Sequence, residues 1–348
     1  MYPDTFSIIK VFSFAAVAFV VTVIWTPFLT NFLYKYKIGK QIRDSKTAPI
    51  FAKLHMKKSG TPTMGGILIW MTTLVLALLF AMLAAVTEMP FFKDINFLNR
   101  PETLLPLGAL VATALVGLAD DFFNVRQMGS QGGGLRVRHK LVIYTIISII
   151  AAWWFVAKLD WTTLHVPFAG NFDIGWWFAP IIIFVIVATS FSVNETDGLD
   201  GLAGGTLLAA FFALAFIAFM QDKVNLATFC AVISGSLLAF LWFNISPARF
   251  FMGDTGSMAM GTTLGIVAIL TNSIFILPII GLVFVIEALS VIIQLSSKRF
   301  RKKKIFQSTP LHHHFEAIGW PETKIVMRFW VIAAVMAVVG VSFYLIDK

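Results

Sequence analysis

Cysteine is nearly absent: the one thiol, Cys230, lies inside an apolar run, so the chain has no disulfide framework and no cysteine-based metal site. Charge is scarce as well. Only 13% of residues are Asp, Glu, Lys or Arg and 58% are hydrophobic, whereas soluble domains carry about 25% charged and about 45–50% apolar residues. That composition excludes an ordinary water-soluble enzyme. No soluble domain interrupts the apolar runs, so residues 1–348 read as one membrane domain, and no internal repeat points to a transporter built from duplicated halves.

What is abundant is apolar sequence in runs close to the ~20 residues needed to cross about 30 Å of hydrocarbon. Ten such runs stand out, at 8–33, 62–86, 104–119, 141–157, 177–193, 200–220, 226–244, 257–271, 276–297 and 325–346. The expected fold is therefore all-α, an integral membrane bundle of about ten transmembrane helices. Pro27 and Pro278 inside these runs require neighbouring helices to satisfy freed backbone groups, which implies a packed bundle. The first run is too long for a signal peptide core, and its lysines follow it rather than precede it.

Orientation follows from the cations, because Lys and Arg concentrate in cytoplasmic loops. Of the 27, twenty-one fall in or beside the connections 34–61, 120–140, 245–256 and 298–324, and six on the other side. This places both termini in the periplasm. The net charge of +9 lies in juxtamembrane loops, so it suits anionic lipid headgroups or an anionic substrate, and no nucleic-acid partner is expected. On the outer side, Thr162–Ile174 reads as a small hairpin. Inside, Ser308-Thr309-Pro310 before LHHHFEAIG frames a short helix at the membrane surface, with Pro at its first position.

Only 18 residues are acidic, and five of them, Asp120, Asp121, Asp197, Asp200 and Asp254, collect where apolar runs meet the cytoplasmic face. Ionisable groups at membrane helix ends tend to face a cavity and mark a site. Asp120 and Asp121 close the run GLADD, and adjacent helical side chains diverge by about 100°, so one can face a metal or substrate while the other supports or caps. In NETDGLDGLAGG, Asn194, Asp197 and Asp200 recur every third residue, in step along a tight turn, beside glycines that let amides approach an anion. FMGDTGS holds Asp254 between glycines, as either a helix cap or a carboxylate ligand of Mg²⁺. GTPTMGG follows Lys57 and Lys58, a corner suited to a pyrophosphate. His312, His313 and His314 cannot all reach one metal, and hydrogen bonding to phosphate or hydroxyl groups suits them better. Glu287, deep in the ninth run, is as well explained by a partner on a neighbouring helix as by chemistry.

Together GTPTMGG, LADD, NETDGLDGLAGG, FMGDTGS and STPLHHHFEAIGWPETKIVMRFW resemble, in order and spacing over essentially the whole chain, the phospho-N-acetylmuramoyl-pentapeptide transferase family. This is a branch of the polyprenyl-phosphate N-acetylhexosamine-1-phosphate transferases. The resemblance implies that UDP-N-acetylmuramoyl-pentapeptide and undecaprenyl phosphate give UMP and lipid I, the first lipid-linked peptidoglycan intermediate. It further implies Mg²⁺, a bacterial inner-membrane location and a homodimer. Carried over, it makes Asp254 the principal metal ligand with Asp120 and Asp121 beside it, all three catalytic. It lines the nucleoside pocket with Asn194, Asp197, Gly198, Leu199 and Asp200, sets Asn244 and Phe251 near the uracil, adds Lys57 or Lys58, Thr63 and Lys140, and brings His312 to His314 onto the substrate. The expected chemistry is direct attack by the lipid phosphate with Asp120 orienting or deprotonating it, against a rival aspartyl-phosphate route. Three readings compete: a sister transferase using UDP-N-acetylglucosamine, against which PLHHHFE speaks; a cation-coupled transporter, which would set its acids near the midplane; and a non-catalytic scaffold, which needs no such convergence.

Overall fold

The computed structural model describes residues 5–39, 56–99, 102–128 and 133–348. Thirteen α-helices are present among them: α1 (Thr5–Lys35), α2 (Ile67–Val86), α3 (Pro90–Ile95), α4 (Leu104–Val125), α5 (Val137–Trp153, prolonged by a π turn to Lys158), α6 (Phe178–Thr196), α7 (Leu202–Met220), α8 (Val224–Asn244), α9 (Asp254–Leu270), α10 (Leu277–Ile280), α11 (Leu282–Phe300), α12 (Leu311–Ala317) and α13 (Glu322–Asp347). Eight helices, α1, α2 and α4–α8 with α13, are long and apolar enough to cross a membrane. Two of the ten expected runs depart from this. The eighth forms α9, apolar but of 17 residues; the ninth is interrupted at Gly281, which separates α10 from α11. The expected hairpin is present as β1 (Thr163–Val166) paired antiparallel to β2 (Gly170–Asp173), with Thr163 opposite Asp173 and Val166 opposite Gly170.

The interior is apolar, but large apolar side chains also cover the outer face, as suits a chain that meets lipid there. Phe12, Phe28, Phe184 and Trp242 point outward, each more than 70% exposed, as expected of side chains that face lipid rather than a protein core. Trp176 and Trp177 beside the hairpin are equally exposed, as membrane-interface aromatics are.

At the centre stands α9, buried at every position from Thr255 to Leu270. It packs against α4 and α6, and small residues permit the approach. A Cβ on Gly261 would come within 2.7 Å of the Ser190 backbone, and one on Gly117 of α4 would lie 2.3 Å from the Asp254 carbonyl. Gly117 lies one helical turn before Asp120, so this contact sets the start of α9 beside the carboxylates of α4. Around this centre, α1 packs on α8, α7 on α8, and α13 on α7.

Candidate active site

The site is assembled from helix ends, where backbone groups lack intrahelical partners. Asp120 and Asp121, 1% and 3% exposed, diverge as their spacing requires. Asp120 Oδ2 lies 2.9 Å from Lys140 Nζ, and its Oδ1 accepts the Leu135 backbone N–H. Asp121 is turned to the start of α9: its Oδ2 accepts the Thr255 N–H at 3.0 Å and its Oδ1 the Thr63 hydroxyl at 3.2 Å. The neighbouring Gly253 has φ +74°, and a Cβ there would fall 2.5 Å from Asp121 and 2.6 Å from Thr63. Glycine is thus required twice over, for backbone and for space.

Lys140, from the first turn of α5, reaches across to Asp254 Oδ1 at 2.7 Å, so one ammonium joins Asp120 to Asp254. Asn194 at the end of α6 donates to that same oxygen and to Ser257 Oγ, the latter at 2.8 Å. Asp254, expected either as a cap or as a ligand, is the first residue of α9, with Gly253 in the cap position. The three carboxylates do not form a ready-made ligand trio. Among the described residues no three of His, Cys, Asp and Glu stand together as a metal site, and Asp121 faces Thr63 and Thr255 instead.

A second cluster lies around the turn from α6 to α7. Lys58 Nζ is 2.7 Å from Asp200 Oδ1, forms an ion pair with Glu322, and sits 6.0 Å from the centre of the Phe251 ring. The Lys57 side chain lies outside the described residues. Asp200 Oδ2 accepts the Ala248 N–H at 3.1 Å. Asn244, 5% exposed, ties two loops: its Oδ1 accepts the Gly201 N–H at 2.9 Å and its amide donates to the Phe250 carbonyl at 2.8 Å. Leu199 is buried, and Asp197 follows the last turn of α6. The Lys58–Gly66 segment is laid against the approach to α9 by three backbone bonds: Phe251 N–H to Pro62, Gly65 N–H to Phe251 and Gly66 N–H to Met252, each 2.8 Å.

The three histidines of α12 diverge. His312 is fully buried; its Nδ1 lies 3.0 Å from Glu287, whose carboxylate also accepts the His312 backbone N–H at 3.2 Å. Burial alone would lower this imidazole, but the Glu287 charge outweighs it and holds the pKa above the usual histidine value. Its Nε2 has no hydrogen-bond partner and abuts Gly198. His313 pairs with Glu316 one turn on, and His314 Nδ1 accepts the Gln307 N–H at 3.3 Å. Pro310 precedes the helix as its cap residue rather than opening it, and no side chain caps there; Glu287 serves the first turn instead.

Sequence reasoning passed over Glu322 and Ser257 and left Glu287 undecided. An acid in the first turn of a helix reads as an ordinary helix-start residue, so nothing local singles out Glu322.

Residues 103–272 match Glycosyl transferase family 4, and residues 58–69 match phospho-N-acetylmuramoyl-pentapeptide-transferase signature 1, the segment that contributes Lys58 and Thr63. The chain is 39% identical over 345 residues to the phospho-N-acetylmuramoyl-pentapeptide-transferase of Chloroflexus aurantiacus, covering 95% of this chain and 89% of that protein. The proteins of that name from Geobacillus thermodenitrificans and Bacillus anthracis are also 39% identical, over 331 and 330 residues, with 94% of this chain and 95% of each relative covered. With that identity over nearly the full length, the chain is a multi-pass membrane transferase that belongs to the phospho-N-acetylmuramoyl-pentapeptide-transferase family.

Proposed function

We infer that this chain transfers phospho-N-acetylmuramoyl-pentapeptide from UDP-N-acetylmuramoyl-pentapeptide to undecaprenyl phosphate at the cytoplasmic face of the bacterial inner membrane, releasing UMP and forming lipid I for peptidoglycan. Family membership supports the reaction. The observation that carries the site is the Lys140 ammonium held between Asp120 and Asp254 at the mouth of the most buried helix.

Phosphoryl transfer asks a protein mainly to position its partners and to neutralise charge. Each site lysine is shared by two carboxylates: Lys140 by Asp120 and Asp254, Lys58 by Asp200 and Glu322. While so paired, neither offers its full charge to a diphosphate, which favours an added cation. Asp120 and Asp254 each already direct one oxygen at a single cationic centre. Hard oxygen donors of this number suit Mg²⁺, which takes one or two carboxylates and completes its shell with water and substrate phosphates. Asp254 and Asp120 would hold the ion. An ion held there would supply the positive charge that offsets the diphosphate and the leaving UMP.

The chain's own groups do the rest. Lys140, released from its carboxylates, holds phosphoryl oxygens; Asp120 orients or deprotonates the attacking lipid phosphate; Asp121 and Thr63 fix the start of α9 so that Asp254 keeps its place. The turn Asp197, Gly198, Leu199 and Asp200, with Asn244 and Phe251, receives the nucleoside. Ten membrane crossings with both ends periplasmic, and pairing of two chains, complete the reading.

The test is UMP release by purified protein given Mg²⁺, undecaprenyl phosphate and either UDP-N-acetylmuramoyl-pentapeptide or UDP-N-acetylglucosamine, with Asp254→Asn as control. Release with the muramoyl donor alone, lost in the variant, is expected. Release with the other donor would transfer the chain to the sister activity, and none from folded protein would refute the reading.

A further inference from the structure

One carboxylate near the substrate turn is not used by the transfer chemistry. Glu322 stands in the first turn of α13, 122 residues beyond Asp200 in sequence, yet its Oε1 accepts the Asp200 backbone N–H at 2.8 Å and pairs with the Lys58 ammonium. Lys58 in turn contacts the Asp200 carboxylate at 2.7 Å. The three side chains close a ring in which one oxygen of Glu322 fixes both the lysine and the peptide plane of the turn. Eight residues further along α13, Trp330 Nε1 donates to the Gly201 carbonyl at 3.0 Å. The last helix therefore holds adjacent residues of the turn at two points. The Glu322 side chain is 17% exposed and Asp200 3%, so the ring is largely sheltered from water, where a charge-assisted hydrogen bond gains strength.

We propose that Glu322 is a positioning residue for the nucleotide-sugar donor: it orients the Asp200 peptide and holds Lys58 near the Phe251 ring, presetting the pocket before the donor arrives. The proposal rests on the assignment of Lys58, Asp200 and Phe251 to the donor pocket. None of the bonds made by Glu322 reaches Asp120, Lys140 or Asp254, so its removal falls on donor binding rather than on the transfer step. A purely structural acid at a helix start would stabilise α13 through the helix dipole and leave donor affinity alone.

The experiment compares wild-type full-length protein with Glu322→Ala and Glu322→Gln. UMP release is measured against UDP-N-acetylmuramoyl-pentapeptide concentration, UMP affinity by calorimetry, and melting temperature on the same samples. Glu322→Ala is expected to raise KM and weaken UMP binding by about tenfold, while kcat changes by less than about threefold. Glu322→Gln, which keeps an acceptor for the Asp200 N–H but loses the charge that pairs with Lys58, is expected to show a smaller but measurable shift in both. A fall in kcat with KM and UMP affinity unchanged, or a lowered melting temperature alone, would overturn the proposal. Should Glu322→Ala fail to fold, an unaltered KM and UMP affinity in Glu322→Gln would overturn it equally, and a partial shift in both supports it. Calorimetry keeps the two readings apart: a wild-type protein that binds UMP but never turns over refutes the transfer, whereas equal UMP affinity in wild type and variants refutes the role of Glu322.

Discussion

Replacing Gly198 by alanine drives a methyl group into the histidine helix, and the structure sets the size of the collision. A Cβ there would lie 2.2 Å from His312 Nε2, against 3.4 Å for ordinary contact, so either the imidazole or the substrate turn must retreat by about 1.2 Å. The imidazole has little freedom: it is fully buried, Glu287 binds both its Nδ1 and its backbone N–H, and the His313 ring lies 4.1 Å away. Overpacking of this kind costs about 1–3 kcal/mol. If the Glu287–His312 pair separates instead, about 3–5 kcal/mol is at stake. Where the turn is what retreats, residues 197–201 leave the proposed donor pocket, and since about 1.4 kcal/mol is tenfold, kcat/KM should then fall by roughly 5-fold to more than 100-fold. The check is UMP release and thermal denaturation in detergent for Gly198→Ala, His312→Ala and the double variant. With the imidazole gone, alanine at 198 meets no nitrogen, so its cost in melting temperature should nearly vanish in the His312→Ala background. Equal destabilisation in both backgrounds would refute the reasoning.

Lys140→Met should leave Asp120 and Asp254 without their shared ammonium; turnover is expected to drop by about 10²- to 10³-fold, read as single-turnover UMP release. Asp121→Ala removes the acceptor of the Thr255 N–H at the start of α9 and should cost about 0.5–2 kcal/mol, seen as a lower melting temperature that Asp121→Asn largely restores. On the opposite face, His165 pairs with Asp347 and Asn171, and although partial burial pulls its pKa down, those bonds win and raise it. A raised histidine pKa gives stabilisation that is complete below the unfolded value, about 6.5, and is lost as pH climbs through the folded one. Protection of the hairpin amides, taken relative to their intrinsic exchange rate at each pH, should therefore fall above that range in wild type and change little with pH in His165→Gln.

The helical runs were readable because lipid demands long uninterrupted apolar stretches, and most of the ten expected spans have a matching helix. The hairpin at 163–173 and the short helix at 311–317 were readable from turn chemistry. The division of α10 from α11 at Gly281 was not expected: Pro278 reads as a proline accommodated within one packed helix, whereas it stands in the first turn of α10 and Gly281 closes that helix. Among site residues, the acids announced themselves by being rare and by lying at helix ends. Their partners did not: Lys140 finds Asp254 across 114 residues and Lys58 finds Glu322 across 264, pairings fixed only by how the helices pack.

The glycines join these two levels. In NETDGLDG the glycines suggested close approach to a ligand, yet Gly198 there is met by His312; Gly253 of FMGDTGS is likewise met by Asp121 and Thr63, and Gly117 of α4 by the Asp254 backbone. Bare glycine surfaces let charged helix ends come within hydrogen-bonding reach of one another, where side chains of ordinary size would hold them apart. Carboxylates taken out of water at those ends are tolerable only when paired and hydrogen-bonded. The same close packing that permits their burial therefore also fixes their positions, and a site so held needs little reorganisation when an anionic substrate and its counter-charge enter.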